Sequence, residues 1–567
     1  MKLACLILSI ITATCCFAAG PLDKSEFVWE DWIFQADGKP SYELAKKEIN
    51  RARQIAARIS NGVDLTEELA SLTKLENQLN ISSQAPQSAK KIYFAVRRIK
   101  RSIMFKDPVI DFDEILLIDN PYPGAGREPG HEARHRNGFL ALMGGRLVVI
   151  EGLNPNAKVR TLAPTDDMEA SFWRPDVSWD GKKVLFSMRP ESDKSFHIYE
   201  CNIDGTGVKQ LTFGDYDDLD PIYSPDGKII FCTTRGHTYV RCMPYTHSFV
   251  LARCDADGKN IYVISRNSEP DYLPSVLNDG RIIYTRWEYT DKALWRVQSL
   301  WSMNADGTNV AHFWGNQSVW PDVITEARAI PNSRKIMFTG VGHHQWFRGC
   351  VGIIDPDKGL NYPKGLYKVT QEMRWPEVGD GPGDPDLDVE YHASGKYGAY
   401  KTPYPLSEEV FLVSAIPGKA PHNPRKGSAN YNLYLMDIYG NKELIWKGKH
   451  NAYHAVPVRK RTRPQAYPDM VNWPKIGDDQ KNLQEGVLYS NNVFEGAPEI
   501  NRDEVKYLRI IEMDAKTYTT WWKTVQHDGP AVGLPQAESV KRVYGTVPVE
   551  KDGSVCFKLK PGVGYYF

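Results

Sequence analysis

The sequence has no surplus of either charge. Its 70 basic and 70 acidic residues cancel, and no basic tail or Lys/Arg stripe marks a phosphate-binding surface, so nucleic acid is excluded as a partner. Past residue 18 no stretch approaches the roughly 18 consecutive apolar residues of a membrane span, so no transmembrane segment is expected there. Several chemical signatures are missing as well: there is no Gly-x-Ser-x-Gly elbow, no Walker or dinucleotide fingerprint and no His-Glu-x-x-His. Their absence sets aside α/β hydrolases, P-loop and Rossmann enzymes, and zincins.

Cysteine is scarce, with 9 in 567 residues. Cys5, Cys15 and Cys16 lie in a leader made of Lys2, an apolar run from Leu3 to Phe17, and the small pair Ala18-Ala19 that suits a signal peptidase. Residues 1–18 read as a signal peptide, which places the mature chain in the periplasm or outside the cell; a lipid anchor on Cys15 or Cys16 is the alternative, against a poor lipobox. Of the remaining six, Cys201, Cys232, Cys242 and Cys254 fall close together, and in an oxidising compartment one or two disulfides are expected, with the pairing open. Cys350 and Cys556 stand apart.

Length and an apolar fraction of 42% allow two or three domains. Residues 19–110 read as a helical segment. Leu44, Ile49, Ala52, Ile55 and Ile59 recur at helical spacing, Leu65, Leu69, Leu72, Leu75 and Leu79 repeat it after Asn61-Gly62, and a third helix runs from Ala89 to Phe105 with Ile92, Val96, Ile99 and Ile103 inward. The basic group Arg97, Arg98, Lys100 and Arg101 reads as the solvent face of that last helix.

From residue 111 the pattern turns to short strands. Turns at Trp179-Asp180-Gly181, Ser224-Pro225-Asp226-Gly227, Asn278-Asp279-Gly280, Pro331-Asn332-Ser333 and Ala393-Ser394-Gly395 alternate with a second set at Asp204-Gly205, Asp257-Gly258, Asp306-Gly307, Asp357-Lys358-Gly359 and Tyr439-Gly440. Apolar runs such as Lys183-Val-Leu-Phe, Lys228-Ile-Ile-Phe and Arg281-Ile-Ile-Tyr sit at one phase of a period of about 50 residues, the signature of a β-propeller. The expected fold is mainly β: a six-bladed β-propeller over 111–463, with seven blades the alternative, closed by strands near Ile115 or from His450 to Arg463. A Pro- and Asp-rich linker, 464–485, leads to a small sandwich-like β domain over 486–567 that reads as cut short, since the sequence stops within the apolar run Gly564-Tyr-Tyr-Phe567.

A propeller offers a funnel at one end of its channel. Residues just ahead of the inner strands are therefore the binding candidates: Glu269, Asp271 and Asp322, with Glu169, Asp217, Asp218, Asp220, Asp386, Asp388 and Glu390 at matching places. Each such carboxylate also suits the capping of local backbone N-H groups. The loop after Thr234 is longer than a blade needs and carries Arg235, His237, Arg241, Cys242 and His247. With Arg286, Trp287, Trp314, Trp320 and Trp346 these could form an aromatic, cationic pocket for an anionic ligand, blade packing being the plainer role for the tryptophans. His343, His344 and His392 are the candidates for a metal ion, although their spacing matches no familiar ligand signature.

The Ser-Pro-Asp-Gly and Asp-x-Asp-Gly-Thr repeats resemble TolB-type propellers. The runs Glu269 to Tyr289 and Phe313 to Trp320, with Pro403 to Glu409, are similar to an exported bacterial family defined by likeness to the middle domain of the hydrazine synthase alpha subunit, and the likeness extends from about Arg98 to the end. The resemblance implies a binding or assembly module with a protein partner, either a c-type cytochrome or an envelope complex. Family members continue into a Cys-x-x-Cys-His segment. This sequence has no such motif, so no cofactor is carried by a recognisable motif and haem c is expected only in a missing C-terminal extension. The alternatives are a metal-dependent enzyme with its site in the funnel and a structural envelope protein like TolB; catalytic residues are not assigned.

Overall fold

The computed structural model describes residues 25–81, 86–122, 142–165, 168–192, 195–240, 247–267, 269–288, 298–315, 317–318, 320–343, 349–373, 375, 397–418, 430–473, 485–495, 500–515 and 541–567, and the backbone alone of 124–125, 134–135 and 139–140. The Asp-Gly turns fold as their chemistry requires, with Gly181, Gly227, Gly258, Gly280 and Gly307 all at positive φ. At three of them a side chain is also excluded by contact: a Cβ on Gly280 would meet the Gln465 carbonyl of the segment that follows the propeller, one on Gly258 would lie 2.1 Å from the Leu211 carbonyl oxygen, and one on Gly307 would lie 2.4 Å from that of Ile264. The turns at Gly258 and Gly307 thus tuck against the outer end of the preceding repeat, which is how the sequence period becomes a lateral stack.

The strands form four separate four-stranded sheets and one of eight, which divides into two groups of four at a single parallel pairing of Gln298 with Val323. In chain order the inner strands of the second to sixth sheets are Ala170–Val177, Asp218–Tyr223, Asp271–Val276, Val323–Ala329 and Tyr397–Pro405. The first sheet takes its inner strand, Asn451–Pro457, from the far end of the repeat region and pairs it antiparallel with Glu114–Asn120, in front of Arg146–Glu151 and Lys158–Ala163. Both stretches expected to close the ring therefore do so, in one sheet. Each inner strand packs on the next, and Asn451–Pro457 returns to Ala170–Val177. The result is a β-propeller.

Helices α1 (Ser25–Gln35), α2 (Tyr42–Ile59) and α4 (Pro86–Phe105) cover the outer edge of the sixth sheet, and α3 (Thr66–Ile81) packs on α2 and α4. Ser41 caps α2 by accepting from the Leu44 N-H at 3.2 Å. α1 was not foreseen, and the reading of α4 is corrected: Arg97 and Lys100 are fully buried. They lie on the same stripe as Tyr93, Val96 and Ile103, and their charge is met by residues distant in sequence. Arg97 pairs with Glu443 at 3.0 Å and Lys100 with Glu48, while the Trp32 indole donates to Glu443 at 2.8 Å. Glu443 belongs to Lys442–Trp446, the outermost strand of the sixth sheet, so α1, α2 and α4 are fastened to a strand edge that would otherwise be open. The expected disulfides are corrected too: among the described residues Cys201, Cys232, Cys254 and Cys350 are buried and Cys556 exposed, none of them in a disulfide, whereas Cys242 lies outside the described residues.

Residues 458–473 run along the propeller instead of hanging free. The Arg461 N-H donates to the Trp179 carbonyl at 2.9 Å, the Gln465 carbonyl abuts Gly280, and Asp469 receives Arg253 at 2.8 Å. Beyond them Gly486–Ser490 pairs with Val555–Leu559, and Tyr507–Met513 pairs with Lys541–Pro548 and Gly564–Tyr566. The two small sheets share an apolar cluster of Ile510, Val555, Phe557 and Leu559.

Two outcomes follow from the helix clamp. Glu443→Gln removes the anion among buried cations and is expected to cost about 3 kcal/mol or more, read by chemical denaturation, with the helices becoming sensitive to proteolysis first. Asp31 gives a pH test: burial, aided by Glu443, pushes it up from 3.8 to about 6 against hydrogen bonds from Tyr434 and Gln35 and the charge of Arg97. The folded state therefore holds this proton where the unfolded chain has lost it, and the associated stability is full below about pH 4 and falls as pH rises through about 6. Relative to wild type, Asp31→Asn should gain on the order of 2–3 kcal/mol between about pH 4 and about pH 7; denaturation curves at both values measure it.

Candidate functional site

The candidates lie at the ends of the inner strands, and most of their charge is matched locally. Asp218 opens its strand opposite Thr233, accepts from the Thr233 hydroxyl at 2.7 Å and from Arg235 at 2.8 Å, and is fully buried. Burial raises its pKa, against the pull of Arg235. Arg235 in turn lies 4.3 Å over the Tyr216 ring. The next sheet repeats the device: Asp271 stands opposite Arg286 and binds it through two bonds of 2.8 and 2.9 Å, with Asn267 adding a third at 3.2 Å. Burial alone would lower the Arg286 pKa, but Asp271 holds it above its ordinary value, and Trp301 lies 4.8 Å beneath the guanidinium. Glu269 and Asp322 are buried, and the Asp322 carbonyl accepts from the Gln298 N-H at 2.9 Å.

The histidines are spread apart. His237 adopts a positive φ with its ring edge-on to Tyr216, centroids 5.6 Å apart, while the His247 and Tyr239 rings are tilted with centroids 4.3 Å apart. His343 is buried 5.0 Å from Trp287, with Gln298 Nε2 3.5 Å from its Nδ1. Arg241, His344 and His392 lie outside the described residues, among which no three His, Cys, Asp or Glu side chains converge on a metal-sized point. Trp320 is fully buried with Trp314 and Trp375 in an apolar cluster.

A cavity of 910 Å³ opens between the third and fourth sheets and the C-terminal strands. Among the predicted residues Arg286 lines it, flanked by Arg266, Glu288 and Trp301 on the propeller side and by Tyr565 and Tyr566 on the other. The wall is thus aromatic with charges of both signs, a composition that suits an amphipathic ligand or an inserted peptide segment.

A second arrangement was missed by the sequence reading. Every inner strand breaks register at one level, leaving Arg174, Asp220, Leu273, Glu326, Thr402 and His454 at equivalent bulge positions, all of them buried. Asp220, Leu273, Glu326, Thr402 and His454 take positive φ there. They touch around the ring: the Thr402 N-H donates to Glu326 at 2.7 Å, the His454 N-H to the Thr402 hydroxyl at 3.1 Å, and the His454 ring lies 5.0 Å from Trp173. Burial would raise the Glu326 pKa, but Lys401 at 3.0 Å, with Thr339 and Thr402, holds it below the usual range. A signal was present in the sequence: proline follows the bulge residue at 175, 221, 274 and 403, where a bulged strand tolerates the missing N-H.

Comparison with known proteins agrees with this architecture. Residues 503–566 match the model of the hydrazine synthase alpha subunit middle domain, so the match falls on the C-terminal strands and not on the run from Glu269 to Tyr289. A hydrazine synthase structure from Kuenenia stuttgartiensis superposes with a TM-score of 0.59 at 17% identity, over 80% of this chain and 65% of that one; the chain thus spans about 65% of that protein's length. TolB from Acinetobacter baumannii gives a TM-score of 0.39 at 13% identity, over 65% of this chain and 73% of its own. No curated protein sequence matches. The chain therefore resembles the hydrazine synthase alpha subunit middle-domain family, whose model its residues 503–566 match, and its propeller shares the fold of a hydrazine synthase.

Proposed function

We propose that the chain is an exported six-bladed propeller that serves as a binding and assembly module beside a c-type haem redox partner. The observation that carries this reading is the outer face of the C-terminal strands. Val487 and Tyr489 on Gly486–Ser490, Tyr507 on Tyr507–Met513 and Val543 on Lys541–Pro548 are between 62% and 70% exposed, although these strands also contribute to a shared apolar cluster. Strands that bury one face and present aromatic and β-branched residues on the other are suited to pairing with a second protein. The carboxylates of the third and fourth sheets, spent on Arg235 and Arg286, fit a scaffold better than a hydrolytic centre. Resemblance to a hydrazine synthase over most of the chain supports a partner that brings the redox cofactor.

The test is purification of the tagged chain from the periplasm of its own host. A stoichiometric partner carrying covalent haem should co-elute, and Val487→Asp with Tyr489→Asp should weaken its retention by about ten-fold or more while leaving the circular dichroism unchanged. Elution of the chain alone, a partner without haem, or full retention by the double variant would overturn the reading.

A further inference from the structure

One level beyond the bulges, the first residues to regain register are Asp176, Ile222, Ser275, Arg328, Tyr404 and Val456. The second and fifth sheets are three places apart in the ring of six, so the bulge residue Arg174 and Arg328 approach the channel from opposite sides. Arg461, from the segment that leaves the closing strand, joins them. The only carboxylate at this level among the described residues is Asp176, and it is already engaged, accepting from Arg461 at 3.1 Å and from the Tyr223 N-H at 3.1 Å. Arg461 also donates to the Val177 carbonyl and stacks 4.7 Å over Trp179. Arg328 has a different environment. Its guanidinium lies 5.0 Å over the Tyr404 ring, it is partly exposed, and among the described residues no carboxylate or other acceptor bonds to it directly, although the charge of Asp176 reaches it.

We propose that this end of the channel binds a small oxyanion, with Arg328 as the principal contact, Arg461 and Arg174 supplying the surrounding positive potential and Tyr404 forming an aromatic wall. At the level of Arg328 the one carboxylate among the described residues, Asp176, is already bonded to Arg461, and the neighbouring inner strands place Ile222, Ser275 and Val456 there. A guanidinium offers an N-H edge suited to two-point binding of phosphate, sulfate or carboxylate. Burial, and then the nearby charge of Arg174, bring the Arg328 pKa down to about 10 against the pull of Tyr404 and Asp176, so the guanidinium still carries its charge at neutral pH and can meet an anion. This is the reverse of Arg286, whose charge Asp271 already satisfies.

Isothermal titration of the full chain with inorganic phosphate, at constant ionic strength set with chloride, tests the proposal. Saturable binding at one site per chain is expected, with sulfate competing. Arg328→Met should weaken it by about ten-fold or more and Arg328→Lys by less, while Arg328→Met without phosphate should melt at the same or a higher temperature than wild type because like-charge repulsion is relieved. Arg461→Met provides a second variant that should also weaken binding. Absence of a saturable heat, unchanged affinity in Arg328→Met, or a fall in its melting temperature without phosphate would each overturn the assignment, the last by showing that Arg328 serves as a structural cation.

Discussion

The ladder between Glu114–Asn120 and Asn451–Pro457 is the constraint on which the other features depend. It joins residues 331 positions apart, as in the bond from the Asn451 side chain to the Asn120 carbonyl. Without it the first sheet would lack its inner strand, and the second and sixth sheets would each lose a neighbour. Closure also fixes both appendages. The helices precede one partner of the ladder, and the segment over Trp179 and Gly280 follows the other, so each leaves the wheel at a defined place. Loop-closure entropy grows slowly with length, and so a contact this remote is affordable once the intervening repeats have stacked.

The same geometry explains why charge is treated in opposite ways at different places. At the helix clamp four charged side chains, Glu48, Arg97, Lys100 and Glu443, are taken out of water together and compensate one another. In the third and fourth sheets Asp218 is matched by Arg235 and Asp271 by Arg286. In the channel, by contrast, Arg174 and Arg328 come from sheets on opposite sides of the ring, and Asp176 is already bonded to Arg461. A buried ion pair is weak evidence for stability, but removing one member is costly. Arg328, which no described carboxylate bonds directly, is therefore the more informative feature, and the proposed oxyanion would supply the missing acceptor.

The repeat architecture was legible because Asp-Gly turns and β-branched runs act locally. Gly181, Gly258 and Gly307 must adopt positive φ wherever the chain goes, so their spacing reported the sheets directly. The small C-terminal strands were legible for the same reason. What could not be read was compensation over distance. Arg97 and Lys100 look like a solvated face until Glu443, brought alongside by the sixth sheet, supplies the opposite charge; burial of Cys201, Cys232 and Cys254 as separate thiols depends likewise on the sheet that each occupies. The belt of bulge residues lay between these cases. Its prolines recur at one phase, yet the meeting of Arg174 with Arg328 depends on two strands placed on opposite sides of a closed ring.

Native-state hydrogen exchange followed by mass spectrometry measures closure most directly. The account predicts that amides of 114–120 and 451–457 exchange together and as slowly as those of the inner strands 218–223 and 271–276, since opening the ladder opens the wheel. Rapid exchange of 451–457, with the inner strands still protected, would contradict it.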